Sequence, residues 1–108
     1  MATPKPGRSV RGSRTGRPIM AALDLLGRRW ALRVLWELRD GSTTFRALQE
    51  RCNGVSPTVL NTRLRELREA GVIDKADAGY ELSPLGRELY DALTPLKRWA
   101  EKWTARRS

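Results

Sequence analysis

Apolar residues recur at helical spacing through most of this chain. From Pro18, which suits the first turn of a helix, they follow at steps of three and four residues until Gly27. A second amphipathic stretch begins at Trp30 and ends at Asp40-Gly41, with its large apolar residues on one side. These patterns predict two consecutive helices, the first at about residues 18–26.

Two further helices are predicted from their boundaries. Thr44 is the expected N-cap of a helix over residues 45–52, and an Asn-Gly pair follows that tolerates a left-handed helix end. Ser56, followed by proline, is the expected cap of a longer helix that runs to about Ala70. Two helices separated by a short turn with glycine have the spacing of a helix-turn-helix, here at about residues 45–70.

The pattern changes after Gly71. Two short strand-like runs, residues 72–75 and 79–82, are joined through a turn at Asp77-Ala78-Gly79. They predict a small β-hairpin at about residues 72–82. The expected fold class is therefore mainly α with one small hairpin.

The last predicted helix, at about residues 84–105, opens with Ser83 as its cap and carries a long apolar stripe. The members of the stripe are spaced by three or four residues: Leu85, Leu89, Leu93, Leu96, Trp99 and Trp103. This stripe runs beyond what a small domain needs to cover, so it favours a seam between two copies of the chain over intrachain core alone. Pro95 lies within the helix and is expected to kink it.

Composition limits the chemistry that the chain can perform. It has 108 residues, no histidine and one cysteine, Cys52. There is accordingly no imidazole base, no histidine ligand for zinc and no intrachain disulfide. The length supports one core rather than a two-domain catalytic cleft. We expect no catalysis, no metal site and no cofactor, and no stretch approaches the ~20 apolar residues of a membrane span.

The net charge of +9 is unevenly distributed along the chain. Residues 1–17 hold five basic residues and no acidic one, and they are rich in Pro, Gly and Ser. Residues 1–16 are therefore predicted to be a disordered basic arm, which either follows a nucleic-acid backbone or is a solvated leader. The helix-turn-helix carries five Arg against three Glu, so its own charge is nearly balanced.

The helix that follows Ser56 has one apolar side, which must face the core. Its opposite side carries polar residues: Thr58, Asn61, Thr62, Arg65 and, at the edge, Arg68. Arg65 has the donors for a bidentate contact to guanine, and Asn61 has the groups for adenine. Arg63 turns toward the apolar side, where its stem can pack. The alternative for the polar side is an ordinary solvated helix face.

Several short motifs follow one another in a recognisable order. They are Arg17-Pro18, Gly27-Arg28-Arg29-Trp30, Phe45-Arg46-Ala47-Leu48, Gly54-Val55-Ser56, Arg63-Leu64-Arg65-Glu66-Leu67 and Tyr80-Glu81-Leu82-Ser83-Pro84-Leu85-Gly86-Arg87. Together with the order of the elements, they resemble the HxlR-type winged helix-turn-helix transcriptional regulators of the MarR-like superfamily, over about residues 17–103. The family has Gly-Gly-Lys-Trp where this chain has the second of these motifs.

This resemblance implies a homodimer that binds double-stranded operator DNA and dimerises through its first and last helices. The implied DNA contacts in the recognition helix are Ser56, Thr58, Asn61, Thr62, Arg65 and Arg68. The implied dimer interface holds Ile19, Leu23, Leu93, Leu96, Trp99 and Trp103. A repressor on a palindromic operator is the default, in the bacterial cytoplasm at the nucleoid. A small-molecule effector of unknown identity is left open, and the four tryptophans are interpreted as core and seam residues rather than as its pocket.

Two features depart from the family pattern. Many members have a cysteine before the proline, which senses oxidants or electrophiles in some of them, but Arg17 stands there in this chain. Cys52 falls on the apolar face of its helix and is interpreted as a core residue, not as a sensor. The expected wing is short and carries two acidic residues against Lys75. We therefore expect phosphate contacts mainly from the arm, at Arg8, Arg11 and Arg14, with Lys75 as the candidate in the wing.

Two other functions are alternatives to DNA binding, and the first of them also explains the basic charge. One is a basic RNA- or ribosome-associated protein, which would usually expose aromatic side chains for stacking on bases. The other is a winged-helix module that contacts only proteins, which predicts an outer helix face without Arg65 and Asn61.

Overall fold

The computed structural model describes residues 17–107. Within this range the order is α1 (Pro18–Leu26), α2 (Ala31–Glu37), α3 (Phe45–Arg51), α4 (Pro57–Glu69), β1 (Ile73–Lys75), β2 (Tyr80–Leu82) and α5 (Pro84–Arg107). The fold is mainly helical with a two-stranded antiparallel hairpin, as predicted. The expected basic arm, with Arg8, Arg11 and Arg14, lies outside the described residues.

Hydroxyl side chains fix the starts of three helices, as the sequence predicts. Thr44 Oγ1 and Ser56 Oγ each accept a hydrogen bond from the backbone N–H three residues further on, at 3.0 and 3.1 Å. Ser83 Oγ accepts one from Gly86 N at 2.9 Å and donates one to the Gly71 carbonyl at 2.6 Å. Ser83 therefore caps α5 and also ties its first turn to the end of α4.

The core lies where α2, α3 and α4 meet the hairpin. Its largest fully buried side chains come from one face of each element: Val34, Leu35, Leu38, Leu48, Cys52, Leu60, Leu64, Leu67 and Ile73. Three of these leucines form the apolar side of α4 that the helical wheel predicts. Burial of this side leaves the opposite side of α4 on the surface.

The hairpin is anchored to the segment that precedes α3. In the hairpin itself, Ile73 pairs with Leu82 and Lys75 pairs with Tyr80. Tyr80 also exchanges two backbone hydrogen bonds of 2.8 Å with Thr43, a contact that the sequence did not indicate. Gly79 permits this approach, because a Cβ there would overlap the Thr43 carbonyl. The wing is thereby held against the start of the helix-turn-helix.

α5 continues through Pro95 and ends two residues beyond its predicted limit. Near its start, Gly86 packs so closely on the Val72 carbonyl that no Cβ would fit, which gives the glycine of the closing motif a physical reason. Leu89 then packs against the core, whereas Leu96, Trp99 and Trp103 are each more than half exposed. Of the apolar stripe, Leu89 thus completes the core, whereas Leu85 at its start and the three outer residues are on the surface.

Two kinds of feature are missing from residues 17–107. No helix in this part of the chain combines the length and apolar character needed to cross a bilayer. The same residues contain no group of three or more Cys, Asp or Glu side chains arranged to hold a metal ion.

Candidate nucleic-acid interface

The outer face of α4 is a polar surface on an element that is rigidly packed from behind. Thr58, Asn61, Arg65 and Arg68 are exposed on it, and Thr62 is half-buried. With a rise of about 1.5 Å per residue, Thr58 and Arg65 lie about 10 Å apart along the helix axis. This length corresponds to about three base pairs of duplex DNA at about 3.4 Å per pair.

The polar groups on this face differ in how far they are already engaged. Thr62 Oγ1 donates to the Thr58 carbonyl at 3.0 Å, and Ser56 Oγ is the acceptor of the helix cap. Among the described residues, Asn61 and Arg68 make no side-chain hydrogen bond or ion pair. Arg65 Nε lies 4.0 Å from Glu69 Oε1 with both side chains at least half exposed, an ion pair that costs little to break. Asn61, Arg65 and Arg68 are therefore the readiest donors for a ligand.

The inner side of α4 carries a charged pair that sequence reasoning missed. Glu66 is almost fully buried, and its carboxylate meets Arg28 Nη1 and Arg63 Nη1, each at 2.9 Å. Arg63 also donates through Nε to the Arg29 carbonyl at 2.7 Å, so its stem packs toward the apolar side as the wheel indicates. An arginine and a glutamate three residues apart were the available signal in the sequence. The partner Arg28 comes from a distant part of the chain.

Lys75, the candidate contact in the wing, is exposed at the end of β1. Its Nζ lies 5.9 Å from the centre of the Tyr80 ring. Asp74 beside it is also exposed, so the basic charge of the wing is offset locally. The wing therefore offers a weak attraction for phosphate.

Exposed apolar side chains lie on two further parts of the fold, α1 and the outer part of α5. Ile19 and Leu23 on α1 are each more than half exposed, like the outer α5 residues Leu96, Trp99 and Trp103. The two α5 tryptophans stack, with ring centres 5.5 Å apart. Such large exposed apolar patches mark interaction surfaces.

All four tryptophans lie among the described residues, and none of them is fully buried in the core. Trp30 is half-buried against the core at the N-cap of α2, in a left-handed conformation with φ of 77°. Trp36 lines an apolar groove of about 350 Å³ between α2 and α5, together with the half-buried Leu93. Trp99 and Trp103 do not line this groove. Trp30 therefore packs on the core, whereas Trp36 lies at the surface outside it. The assignment of tryptophans to a dimer seam stays a prediction.

Cys52 is fully buried and unpaired with another cysteine. Burial raises the pKa of its thiol, because the thiolate would lose its hydration. Arg33 opposes this shift and Glu37 adds to it. A buried thiol with a raised pKa is a poor nucleophile, which agrees with the interpretation as a core residue.

We expect Cys52 to be unreactive in the folded protein. At pH 8 a thiol reagent such as Ellman's reagent should modify less than one tenth of the protein in the time that fully modifies it in urea. An oxidant dose that spares the fold should leave the DNA affinity of the unmodified protein unchanged. The same dose should also leave the DNA affinity of a Cys52→Ser variant unchanged. Rapid modification of one thiol per chain under native conditions would contradict this expectation.

The sequence model of the HxlR-like helix-turn-helix family matches residues 25–108. The chain is 30% identical over 98 residues to the uncharacterized HTH-type transcriptional regulator YdeP of Bacillus subtilis, covering 84% of this chain and 77% of YdeP. It is 33% identical over 98 residues to the regulator Rv3095 of Mycobacterium tuberculosis, of which it spans 61%.

Solved structures show the same similarity. Quinone-bound YodB from B. subtilis superposes with a TM-score of 0.73 at 27% identity, covering 78% of this chain and 96% of YodB. A MarR-family regulator from Enterococcus faecalis gives 0.73 at 30% identity, with 82% of this chain and 87% of that one covered. The redox regulator HypR in its reduced form gives 0.72 at 25% identity, covering 79% and 91%. This chain belongs to the HxlR family of winged helix-turn-helix transcriptional regulators.

Proposed function

We propose that two copies of this chain form a homodimer that binds a roughly palindromic duplex operator and represses transcription by occupying it. The observation that carries this proposal is the outer face of α4, where Asn61 and Arg65 project from a helix whose opposite side is buried. Burial from behind keeps the helix rigid, so that its side chains can be held at fixed positions in a groove.

In this proposal, α4 is the recognition helix and lies in the major groove. Arg65 donates two hydrogen bonds to O6 and N7 of a guanine, and Asn61 pairs with N6 and N7 of an adenine. Thr58, Thr62 and the N-cap Ser56 contact phosphate or, through a threonine methyl, a thymine methyl. Arg68, at the edge of the face, contacts phosphate.

The dimer interface is proposed to be the exposed apolar surface of α1 and α5. It contains Ile19, Leu23, Leu93, Leu96, Trp99 and Trp103. Two-fold symmetry would place the two α4 helices in successive major grooves, about 34 Å apart along the DNA. A dimer seated near a promoter in this way excludes polymerase, and this is the basis for proposing repression.

Two similar proteins respond to or bind chemical agents: YodB has a structure with a bound quinone, and HypR is a redox regulator. We propose that any effector acts without thiol chemistry, because Cys52 is buried and has a raised pKa.

The test of this proposal is a fluorescence-anisotropy titration on a site selected by the protein from a random duplex library. The comparison probes are a duplex of random sequence and an RNA with the sequence of the selected site. We expect the selected duplex to bind at least about 10³-fold more tightly than random duplex. Equal affinity for all three probes would contradict sequence-specific DNA binding, and a preference for the RNA would favour the RNA-binding alternative.

Arg65→Ala should weaken binding to the selected duplex by about 1–3 kcal/mol, or roughly 5- to 150-fold, because a bidentate base contact is lost. Binding to random duplex should fall much less. Arg98→Ala removes the same charge from an exposed position on α5 and should leave the ratio of the two affinities unchanged. An unchanged ratio for Arg65→Ala would exclude this side chain from base recognition.

The basic arm is proposed to supply the phosphate contacts that the wing lacks, through Arg8, Arg11 and Arg14. Deletion of residues 1–16 should weaken DNA binding and flatten its salt dependence. The slope of log K against log salt should change by about 0.9 for each phosphate that is no longer neutralised. The same slope in the full-length and deleted proteins would show that the arm does not contact DNA.

A further inference from the structure

We propose that a buried charge cluster formed by Asp24, Arg28, Arg63 and Glu66 fixes the orientation of α4 relative to α1. In the homodimer this orientation sets the half-site spacing that the protein accepts. Arg28 is thus a positioning residue for DNA recognition, without touching DNA itself. The inference rests on the proposed function and adds the means by which its specificity is set.

The cluster connects the end of α1 with the middle of α4 through a single guanidinium. Arg28 lies just after α1, and its Nη2 is 3.1 Å from Asp24 Oδ2 on that helix. Its Nη1 is 2.9 Å from Glu66 Oε2 on α4. The Arg28 and Glu66 side chains are 6% and 5% exposed, so water hardly screens their attraction.

A second arginine ties the same carboxylate to the same turn. Arg63 Nη1 is 2.9 Å from Glu66 Oε1, so both oxygens of Glu66 have a cationic partner. Arg63 Nε donates to the Arg29 carbonyl at 2.7 Å. Two separate links therefore run between α4 and the turn after α1, one through Arg28 and one through Arg63.

The hydrogen bonds of the cluster are directional, whereas the apolar contacts around them are not. The free energy gained by burying leucines on the inner side of α4 is roughly proportional to the apolar area removed from water. Small rotations and shifts of the helix therefore change it little. Arg28 Nη2 donates a hydrogen bond to Asp24 and Arg63 Nη1 donates one to Glu66, and each bond restricts the direction of its donor. Arg28 Nη1 meets Glu66 Oε2 at 2.9 Å as an ion pair without hydrogen-bond geometry. Buried ion pairs contribute little net stability over apolar packing, and a role in fixing register suits them better. The cluster is therefore suited to setting the angle of α4.

The location of the cluster links the two surfaces of the proposed function. Asp24 is adjacent to Leu23, which is exposed on the apolar face of α1. Glu66 is adjacent to Arg65, which is exposed on the outer face of α4. A change in the angle between α1 and α4 would therefore move the two α4 recognition helices of a dimer relative to each other.

The experiment uses the duplex selected by the unmodified full-length protein and two versions with one base pair inserted or removed at its centre. The readout is the ratio of the affinities for the selected and altered spacings. The test variant is Arg28→Met with Glu66→Gln, which removes the link by neutralising one cation and one anion together and leaves the opposite charges of Asp24 and Arg63 in place. Arg28→Lys is a second variant, which keeps the charge and the fold but lacks the planar fork.

We expect the unmodified protein to favour its selected spacing at least about tenfold. Both variants should remain dimeric in size-exclusion chromatography and lose most of that preference. Arg46→Met with Glu50→Gln removes an exposed ion pair of 3.5 Å on α3, and it should retain the full ratio. Retention of the full ratio in both test variants, even with a lower melting temperature, would overturn the inference. If the unmodified protein itself binds all duplexes equally, the proposed function fails and the inference fails with it.

Discussion

Glu66→Ala is expected to destabilise the folded protein by about 3 kcal/mol, among the largest effects of any single substitution outside the apolar core. The substitution leaves Arg28 buried without its partner on α4 and takes the carboxylate from Arg63 as well. The cost lies at the lower end of the range for a broken buried pair, because Asp24 still faces Arg28 at 3.1 Å. Urea denaturation followed by circular dichroism, at fixed protein concentration, measures the change.

Glu50→Ala is the matched control for this measurement. Glu50 also pairs with an arginine one turn away, but both side chains of that pair are largely exposed. Its removal should change the free energy of unfolding by less than about 0.5 kcal/mol. Equal effects of the two substitutions would show that the buried ion pairs of Glu66 contribute no more to the free energy of unfolding than an exposed pair does.

Trp99→Glu is expected to convert the proposed dimer into a monomer and to abolish specific binding to the selected operator. Trp99 is more than half exposed on α5 and stacks on Trp103, so it has the features of a tryptophan hot spot in an interface. A charge buried there would weaken association by more than about 2 kcal/mol, or roughly 30-fold. Analytical ultracentrifugation gives the association constant, and anisotropy gives the affinity for the operator.

Lys102→Glu, next to Trp103 on the exposed surface of α5, tests whether added negative charge alone is responsible. It should leave dimerisation within a few-fold of the unmodified protein. The circular dichroism spectrum of Trp99→Glu should remain helical, since the indole ring is not part of the core. A fully dimeric Trp99→Glu protein would place the interface elsewhere.

Local signals in the sequence determine the helix boundaries of this protein. Thr44, Ser56 and Ser83 cap the helices that they were predicted to cap, because a cap bond joins residues three apart in the chain. The inner and outer sides of α4 follow from the spacing of Leu60, Leu64 and Leu67 for the same reason. The capped starts of these helices and the two sides of α4 are therefore predictable from one sequence, whereas the ends of α2 and α5 differ from the prediction.

The long apolar stripe of α5 shows that helical periodicity does not predict which of its residues are buried in the core. Leu89 and Trp103 have the same helical spacing relative to their neighbours, and the sequence treats them alike. In the fold, Leu89 packs on the core while Trp103 is on the surface. The difference depends on where α5 leaves the rest of the domain, which no local pattern contains.

The sequence by itself determined the fold class, the family and the polar face of α4, because all three depend on the order and period of residues along the chain. Only the tertiary structure decided that Thr43 pairs with Tyr80 and that Arg28 meets Glu66. These contacts join residues 37 and 38 positions apart, and nothing in either segment alone specifies its partner. The physical reason is that a buried charge or an unpaired strand edge requires a partner of one chemical kind, but many residues of the chain are of that kind. The packing of the whole chain determines which of them becomes the partner.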